Sequence, residues 1–507
     1  MRTRTNKPLR SLACALVCAL TALPLAAQQA DLSEQDITNA VSDELMGDPA
    51  IGAHAVEVET DDGVVTLSGD VPHVLAKERA EDIASMVKGV EAIINRIDVR
   101  APVRADTEIQ EDIEDALLAD AATESWEIVV DVDLGRATLT GSVDSWQEKQ
   151  LAGTLAKSVQ GVTGLQNDIT VDYETDRMDR EIEKEIEAAL DWDAYIDDAL
   201  ISVSVEDSEV SLSGTVGSVA EKNRAFNKAW VAGVRSVDDD GLQIEWWARN
   251  EVLREDKYVA RSEEEIRNAV NKAFLYDPRV PSATVDVEVD AGTVTLRGAV
   301  DNLKARRAAA RDARNVVGVW SVRNQLMVRA DNVSDARIER SVEDAIRRDP
   351  YLNRYDIVVS VTDGEVYLYG SVDSTFEKST ADTIASRQIG AVAVHNHLAV
   401  NTDTVSRYGP YSDEPYLYDY DWYEPETQRG GKSDWELRRD IVDELFWSPF
   451  VDRADVDVEV EDGVATLRGT VDTWNERQAA RENAFEAGAV GVDNNLTVEY
   501  GPDYYSP

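Results

Sequence analysis

Cysteine is nearly absent. The 507-residue chain has two, Cys14 and Cys18, both within its first eighteen residues. No disulfide and no thiolate metal site is therefore expected in the remainder. Bases are scarce, 51 against 99 acids, for a formal net charge of −48. The acids run through the whole length, so the surface repels polyanions and nucleic acid is excluded as a partner. Histidine occurs only at His54, His73, His395 and His397. After the N-terminal thirty residues no stretch approaches the eighteen apolar residues of a membrane span. Also missing are G-x-S-x-G, G-x-x-x-x-G-K-[ST], H-E-x-x-H and a calcium loop of the D-x-[DN]-x-[DN]-G type. No catalytic residue, cofactor or small-molecule substrate is expected, and the chain reads as a non-enzyme.

The N-terminus has what the rest lacks. Arg2, Arg4, Lys7 and Arg10 precede the apolar run SLACALVCALTALPLA (11–26), and Ala26-Ala27 supply small residues. That order is expected of a secretory signal over 1–27, cleaved after Ala27. The expected location is the periplasm, with secretion or an uncleaved membrane anchor as alternatives.

What is present above all is repetition. VEVETDDGVVTLSGDV (56–71) returns as VDVEVEDGVATLRGTV (456–471). Its second glycine recurs six times, as Gly69, Gly141, Gly214, Gly298, Gly370 and Gly469. A turn glycine stands six residues earlier, as Gly63, Gly135, Gly292, Gly364 and Gly463, with Ser208 in the third copy. Downstream come Gly89, Gly161, Gly233, Gly318, Gly390 and Gly488. Six residues beyond them stand Asn95, Asn167, Asn324, Asn396 and Asn494, with Asp239 in the third copy. Upstream of each hairpin apolar residues repeat at helical spacing, as in Ile37/Val41/Leu45 or Leu437/Ile441/Leu445. Ser33-x-x-Asp36, Ser262-x-x-Glu265 and Ser433-x-x-Glu436 read as capping boxes opening three of these helices.

Each unit thus reads helix, strand, tight turn, strand, Ala-rich helix, strand. The predicted fold class is α+β: six tandem two-layer modules, each a three-stranded sheet with two helices on one face. The modules are expected at 33–100, 105–173, 176–246, 262–330, 334–401 and 433–500, with a linker at 402–432 and a tail at 501–507. The glycines are expected to serve turns, the downstream class as a left-handed cap on the second helix. The asparagine amide is expected to tie a helix end to the entering strand. Units this small bury marginal cores, and hairpin spacings of 72 and 73 residues leave short connectors, so sequence neighbours are expected to dock pairwise.

The module resembles the BON domain, named for bacterial osmotic-stress and nodulation proteins. The resemblance rests on the I-x-x-x-[IV] first helix, the V-x-V-x-x-G-x-[VA]-x-L-x-G hairpin, and the closing phrase GVEAIINRIDV (89–99), GVTGLQNDITV (161–171), GVWSVRNQLMV (318–328) or GAVGVDNNLTV (488–498). It implies an exported envelope protein, linked to osmotic and envelope stress, that binds phospholipid or other envelope surfaces.

Few residues stand apart from the scaffold. No metal site is expected. His395 and His397, on one side of a strand, come nearest to one, against the reading of an ordinary surface pair. Distributed Ca²⁺ or Mg²⁺ binding by acids competes with a plain solvated surface. Trp146 and Trp474 share one position at the start of the second helix, and suit either a surface-contact rim or inter-module packing. Trp246-Trp247 lie in a connector. Residues 407–426, RYGPYSDEPYLYDYDWYEPE, suit an extended linker or an aromatic recognition strip. The expected partner is a phospholipid membrane surface or an envelope protein, bridged by cations. A protein–protein scaffold of the envelope is the alternative.

Overall fold

The computed structural model describes residues 32–48, 50–51, 56–120, 127–172, 177–245, 247–248, 261–329, 333–401, 432–448, 450–452 and 456–499. The expected leader, the tail and the linker up to residue 431 lie outside the described residues. In module 1 the first helix is Glu34–Gly47, the hairpin strands are Val56–Asp61 and Val64–Val71, the second helix is Val74–Ser85 and the last strand is Ala92–Val99. The hairpin is antiparallel, and the last strand lies parallel to its second strand, which is central. The same order recurs six times, with the last strand of module 4 in two pieces, Ser321–Asn324 and Met327–Val328. The α+β reading stands.

Local chemistry explains each element. The first helix buries one stripe, Ile37, Val41 and Leu45 in module 1, and each such side chain contributes roughly 2 kcal/mol. The three expected capping boxes form, and Ser374 with Glu377 makes another on the second helix of module 5. In the hairpin turn both central residues have positive φ, 51° at Asp62 and 74° at Gly63, a conformation that twists with the strands. The third copy holds it without glycine, at Asp207 (53°) and Ser208 (66°). The hairpin glycine is under a harder constraint. A Cβ on Gly214, at φ 127°, would lie 2.0 Å from the Leu200 carbonyl oxygen.

The downstream glycine caps the second helix as expected in module 6, where the Gly488 N–H donates to the Phe485 carbonyl and the Ala489 N–H to the Ala484 carbonyl, and departs from expectation in module 1. The second helix of module 1 ends at Ser85 with Met86 as its cap, and Gly89 comes three residues later. These glycines turn the chain beneath the first helix. A Cβ at Gly161 would meet Ile109 Cδ1 at 2.9 Å, and one at Gly390 would meet Ile338 Cδ1 at 2.9 Å. At these two positions the first-helix isoleucine occupies the space, and all six downstream glycines have positive φ.

Each module keeps its own apolar core, yet the modules are packed together, with modules distant in sequence as well as with neighbours. The N–H just before the downstream glycine donates to the carbonyl at another module's first-helix end. Lys88 binds Trp447 at 3.2 Å, Gln160 binds Arg348 at 2.8 Å and Val317 binds Trp192 at 3.0 Å. These contacts join modules 1 with 6, 2 with 5 and 4 with 3. The bridge of Asp120 with Gln388 repeats the 2·5 contact in the opposite sense, so a local two-fold relates these modules. A cavity of about 50 Å³ lies between them, lined by matched residues: Ala116 with Ala345, Asp120 with Asp349, Leu155 with Ile384.

Two further contacts complete the arrangement. The residue opening the second helix reaches into the next module: Val74 into the core of module 2, Trp146 against module 3, Val219 against module 1. Modules 1, 2 and 3 therefore close a triangle. The position five residues past the first helix's last buried apolar residue joins Ala50 to Tyr351 and Tyr195 to Phe450, with ring centroids 5.5 Å apart. That links modules 1·5 and 3·6. Pairs 1·6, 2·5, 3·4, 1·5 and 3·6 join the triangle of modules 1, 2 and 3 to modules 4, 5 and 6. Sequence neighbours do dock, as Val74 in the core of module 2, Trp146 on Trp230, Val317 on Trp192 and the ion pair of Arg307 with Asp382 show for modules 1·2, 2·3, 3·4 and 4·5. The nested pairs 1·6 and 2·5 are added to them because the helix-end surface is complementary to its own copies.

Candidate functional site

The repeated residues assemble scaffolding. Asn95 donates from its side chain to the Lys77 carbonyl at 2.9 Å, and its Oδ1 accepts the Ile97 N–H at 3.2 Å. Asn167, Asn324, Asn396 and Asn494 do the same. The amide thus clamps the body of the second helix to the last strand. In module 3 an ion pair of Lys222 with Asp239 at 3.8 Å stands in for it, beside a strand irregularity between Ser211 and Ser213.

Two repeated features escaped the sequence reading. The first acid of each first helix caps the hairpin turn 28 residues on. Asp106 accepts from Leu134 and Gly135, Asp179 from Asp207 and Ser208, Asp434 from Asp462 and Gly463. Glu34 and Glu263 each accept one such N–H. The constant spacing was the available signal, hidden among 99 acids. The second feature is the aspartate closing the first helix, in the phrases GDPAI, WDAYI, YDPRV and RDPYL. Asp48, Asp193, Asp277 and Asp349 each accept the N–H two residues later. Arg224 grips Asp193 with bonds of 2.6 and 2.7 Å in a nearly dry site. Burial opposes the Asp193 charge, but Arg224 and Lys228 hold its carboxyl far below the usual range. Arg79 grips Asp48 in the same way.

Trp146 is half-buried and stacks on Trp230 at 3.9 Å across the boundary of modules 2 and 3. Trp474 is half-buried beneath the Arg477 guanidinium, 4.8 Å from its ring centroid. Trp247 is also half-buried, while Trp246, His54 and residues 407–426 lie outside the described residues. His73 caps the second helix of module 1, accepting the Ala76 N–H at Nδ1, and meets Tyr351 of module 5 edge-on at 4.1 Å. Burial depresses its pKa to about 4. His395 Nε2 lies 3.1 Å from Glu365 Oε2, and His397 stacks on Tyr369. Among the described residues no group of three or more His, Asp or Glu side chains is placed to hold a metal ion.

With helices meeting helices between modules, the far face of each sheet is left to solvent. Its residues alternate with the core: Glu57, Glu59 and Asp98 are exposed in module 1, Asp457, Glu459 and Asp493 in module 6. These faces are shallow, polar and mostly acidic. They offer hydrogen bonds and carboxylates for cations, and no enclosed site. Among the described residues no helix is long and apolar enough to cross a membrane.

Comparison with known proteins follows the repeat. Residues 33–101, 105–173, 178–245, 262–330, 334–402 and 433–500 match the family model of the BON domain. The chain is 32% identical over 145 residues to Osmotically-inducible protein Y of Escherichia coli (strain K12), an alignment covering 27% of this chain and 72% of that protein. Among solved structures, CdsD, a structural protein of the type III secretion system of Chlamydia trachomatis, aligns over 44% of this chain and 94% of its own at 14% identity, with a TM-score of 0.13. Its C-terminal domain aligns over 42% and 100% at 15% identity, with a TM-score of 0.12.

Proposed function

The chain belongs to the BON domain family, and on that premise we propose an exported, non-enzymatic envelope protein that holds phospholipid surfaces through several weak contacts at once. The carrying observation is the repeated outward sheet face on a helix-packed body. One face binds weakly, but faces held in one body share a high effective concentration, so avidity exceeds any single affinity. The chain's acidity sets the conditions. A net charge of −48 repels anionic headgroups, so divalent cations bridge the carboxylates to phosphate. Similarity to Osmotically-inducible protein Y supports a role under osmotic stress, and the basic, apolar N-terminus supports a periplasmic location.

Co-sedimentation with phosphatidylglycerol vesicles, with and without Mg²⁺, tests the lipid reading. Binding is expected with Mg²⁺; no association under either condition would end it. A hydrolase activity abolished by a change in one module, but not by the matching change in another, would overturn the non-enzymatic part. A second reading, an envelope scaffold, is favoured by the self-complementary helix-end contact. Crosslinking in intact cells separates them, since a scaffold captures one dominant protein.

A further inference from the structure

The outer faces differ in their acids: the first hairpin strand turns out Val129, Asp131 and Asp133 in module 2 and Ser202, Ser204 and Glu206 in module 3, and only module 5 turns out no acid there. In module 1 the first hairpin strand turns Glu57, Glu59 and Asp61 to solvent, and module 6 turns out Asp457, Glu459 and Glu461. The matching positions in module 5 are Val358, Ser360 and Thr362, all exposed. Beside them, where module 1 has Thr66 and Ser68, module 5 has Tyr367 and Tyr369. Where module 1 has Ile94 and Arg96, it has His395 and His397. The four rings form a ladder. Tyr367 stacks on His395 at 4.6 Å, and Tyr369 on His397 at 5.3 Å, with ring planes 18° and 20° apart. Glu365, the one carboxylate of this face, is engaged by the Tyr367 hydroxyl at 2.8 Å and by His395.

Each tyrosine has one ring face against its histidine on the last strand. Its other face is therefore turned towards the first strand, where Ser360 and Val358 stand opposite. Val358 is 61% exposed and Tyr369 45%. Cross-strand aromatic pairs stabilise a sheet by themselves, but that gain does not require an adjacent edge strand without acids, and module 3, with serines at two of the three positions, has no such rings beside them.

We propose that this face binds a short uncharged saccharide chain, laid along Val358–Thr362 with its pyranose faces against Tyr367 and Tyr369. A pyranose has an apolar C–H face to stack on a ring and equatorial hydroxyls for the serine, threonine and imidazole groups at the rim. Size selects against a folded partner. Three strands about 5 Å apart and five residues of about 3.3 Å give a footprint of roughly 250 Å², far below the ~800 Å² per partner of a stable protein interface. Charge selects against ions. Asp356, Asp363 and Asp373 are exposed around the face and repel an anionic headgroup, while a cation finds more carboxylates on the other faces. The proposal is independent of the lipid reading, which rests on the acidic faces.

The test uses the full chain, observing imidazole proton resonances, which are few because histidine occurs four times. Titrated chitotetraose is the probe. The His395 and His397 signals are expected to shift saturably while buried His73 stays fixed. Y367T and Y369S place the residues of module 1 on the same strand, which that module shows to be compatible with the fold. Together they are expected to weaken binding at least about tenfold. No saturable shift, or one that persists in the double variant, overturns the proposal. So does a response to phosphatidylcholine vesicles and none to the saccharide.

Discussion

Acidification should loosen the contact of modules 1 and 5 through one imidazole. His73 is 6% exposed, and burial lowers its pKa from 6.5 to about 4. The unfolded chain therefore binds this proton first. Stability is complete above pH 6.5 and falls as the pH drops towards 4. Two and a half pH units at 1.36 kcal/mol each give a loss of about 3 kcal/mol. H73S isolates the effect, because serine caps the same helix in modules 2 and 3, at Ser145 and Ser218. Serine loses the edge contact with Tyr351 at every pH, and all carboxylate titrations are common to both proteins. Urea unfolding at pH 7.5 and 4.5 gives the difference. The parent is expected to lose about 2–3 kcal/mol more than H73S between the two; equal losses would refute the burial argument.

Other substitutions probe the scaffold. G214A puts a Cβ 2.0 Å from the Leu200 carbonyl and should cost about 3 kcal/mol or more by chemical denaturation; a cost below about 1 kcal/mol would show that the hairpin can yield. S208G relieves a non-glycine at φ 66° and should gain about 1 kcal/mol, read as a raised unfolding midpoint. R224A leaves the buried Asp193 carboxylate without its bidentate partner and should cost about 3–5 kcal/mol. R297A, which removes an exposed ion pair with Glu288, should change stability by less than about 1 kcal/mol.

The module was legible in the sequence because its determinants are local and repeated six times. The apolar stripe of the first helix, the turn with positive φ and the hairpin glycine each recur at fixed spacing, so repetition separated them from noise. Module 3 shows why the pattern tolerates change: Ser208 takes the turn conformation, and Lys222 with Asp239 replaces the amide clamp. The caps at Asp48 and Asp106 were hidden because one acid resembles any other in so acidic a chain. The nested order was illegible for a different reason. Lys88 meets Trp447 through backbone atoms, which carry no side-chain signature, and residues 359 positions apart leave no periodicity to read. Trp146 illustrates the same limit, since its spacing fits a surface rim as well as the stack on Trp230 that it makes.

Small-angle scattering of the chain without its first 27 residues tests the closed body most directly. A closed body of six modules should give a radius of gyration of about 23 Å, the value for a compact chain of this length. Six modules strung along their connectors would give about 40 Å or more by the same scaling of each unit, and that result would contradict the nested arrangement and the outward sheet faces that rest on it.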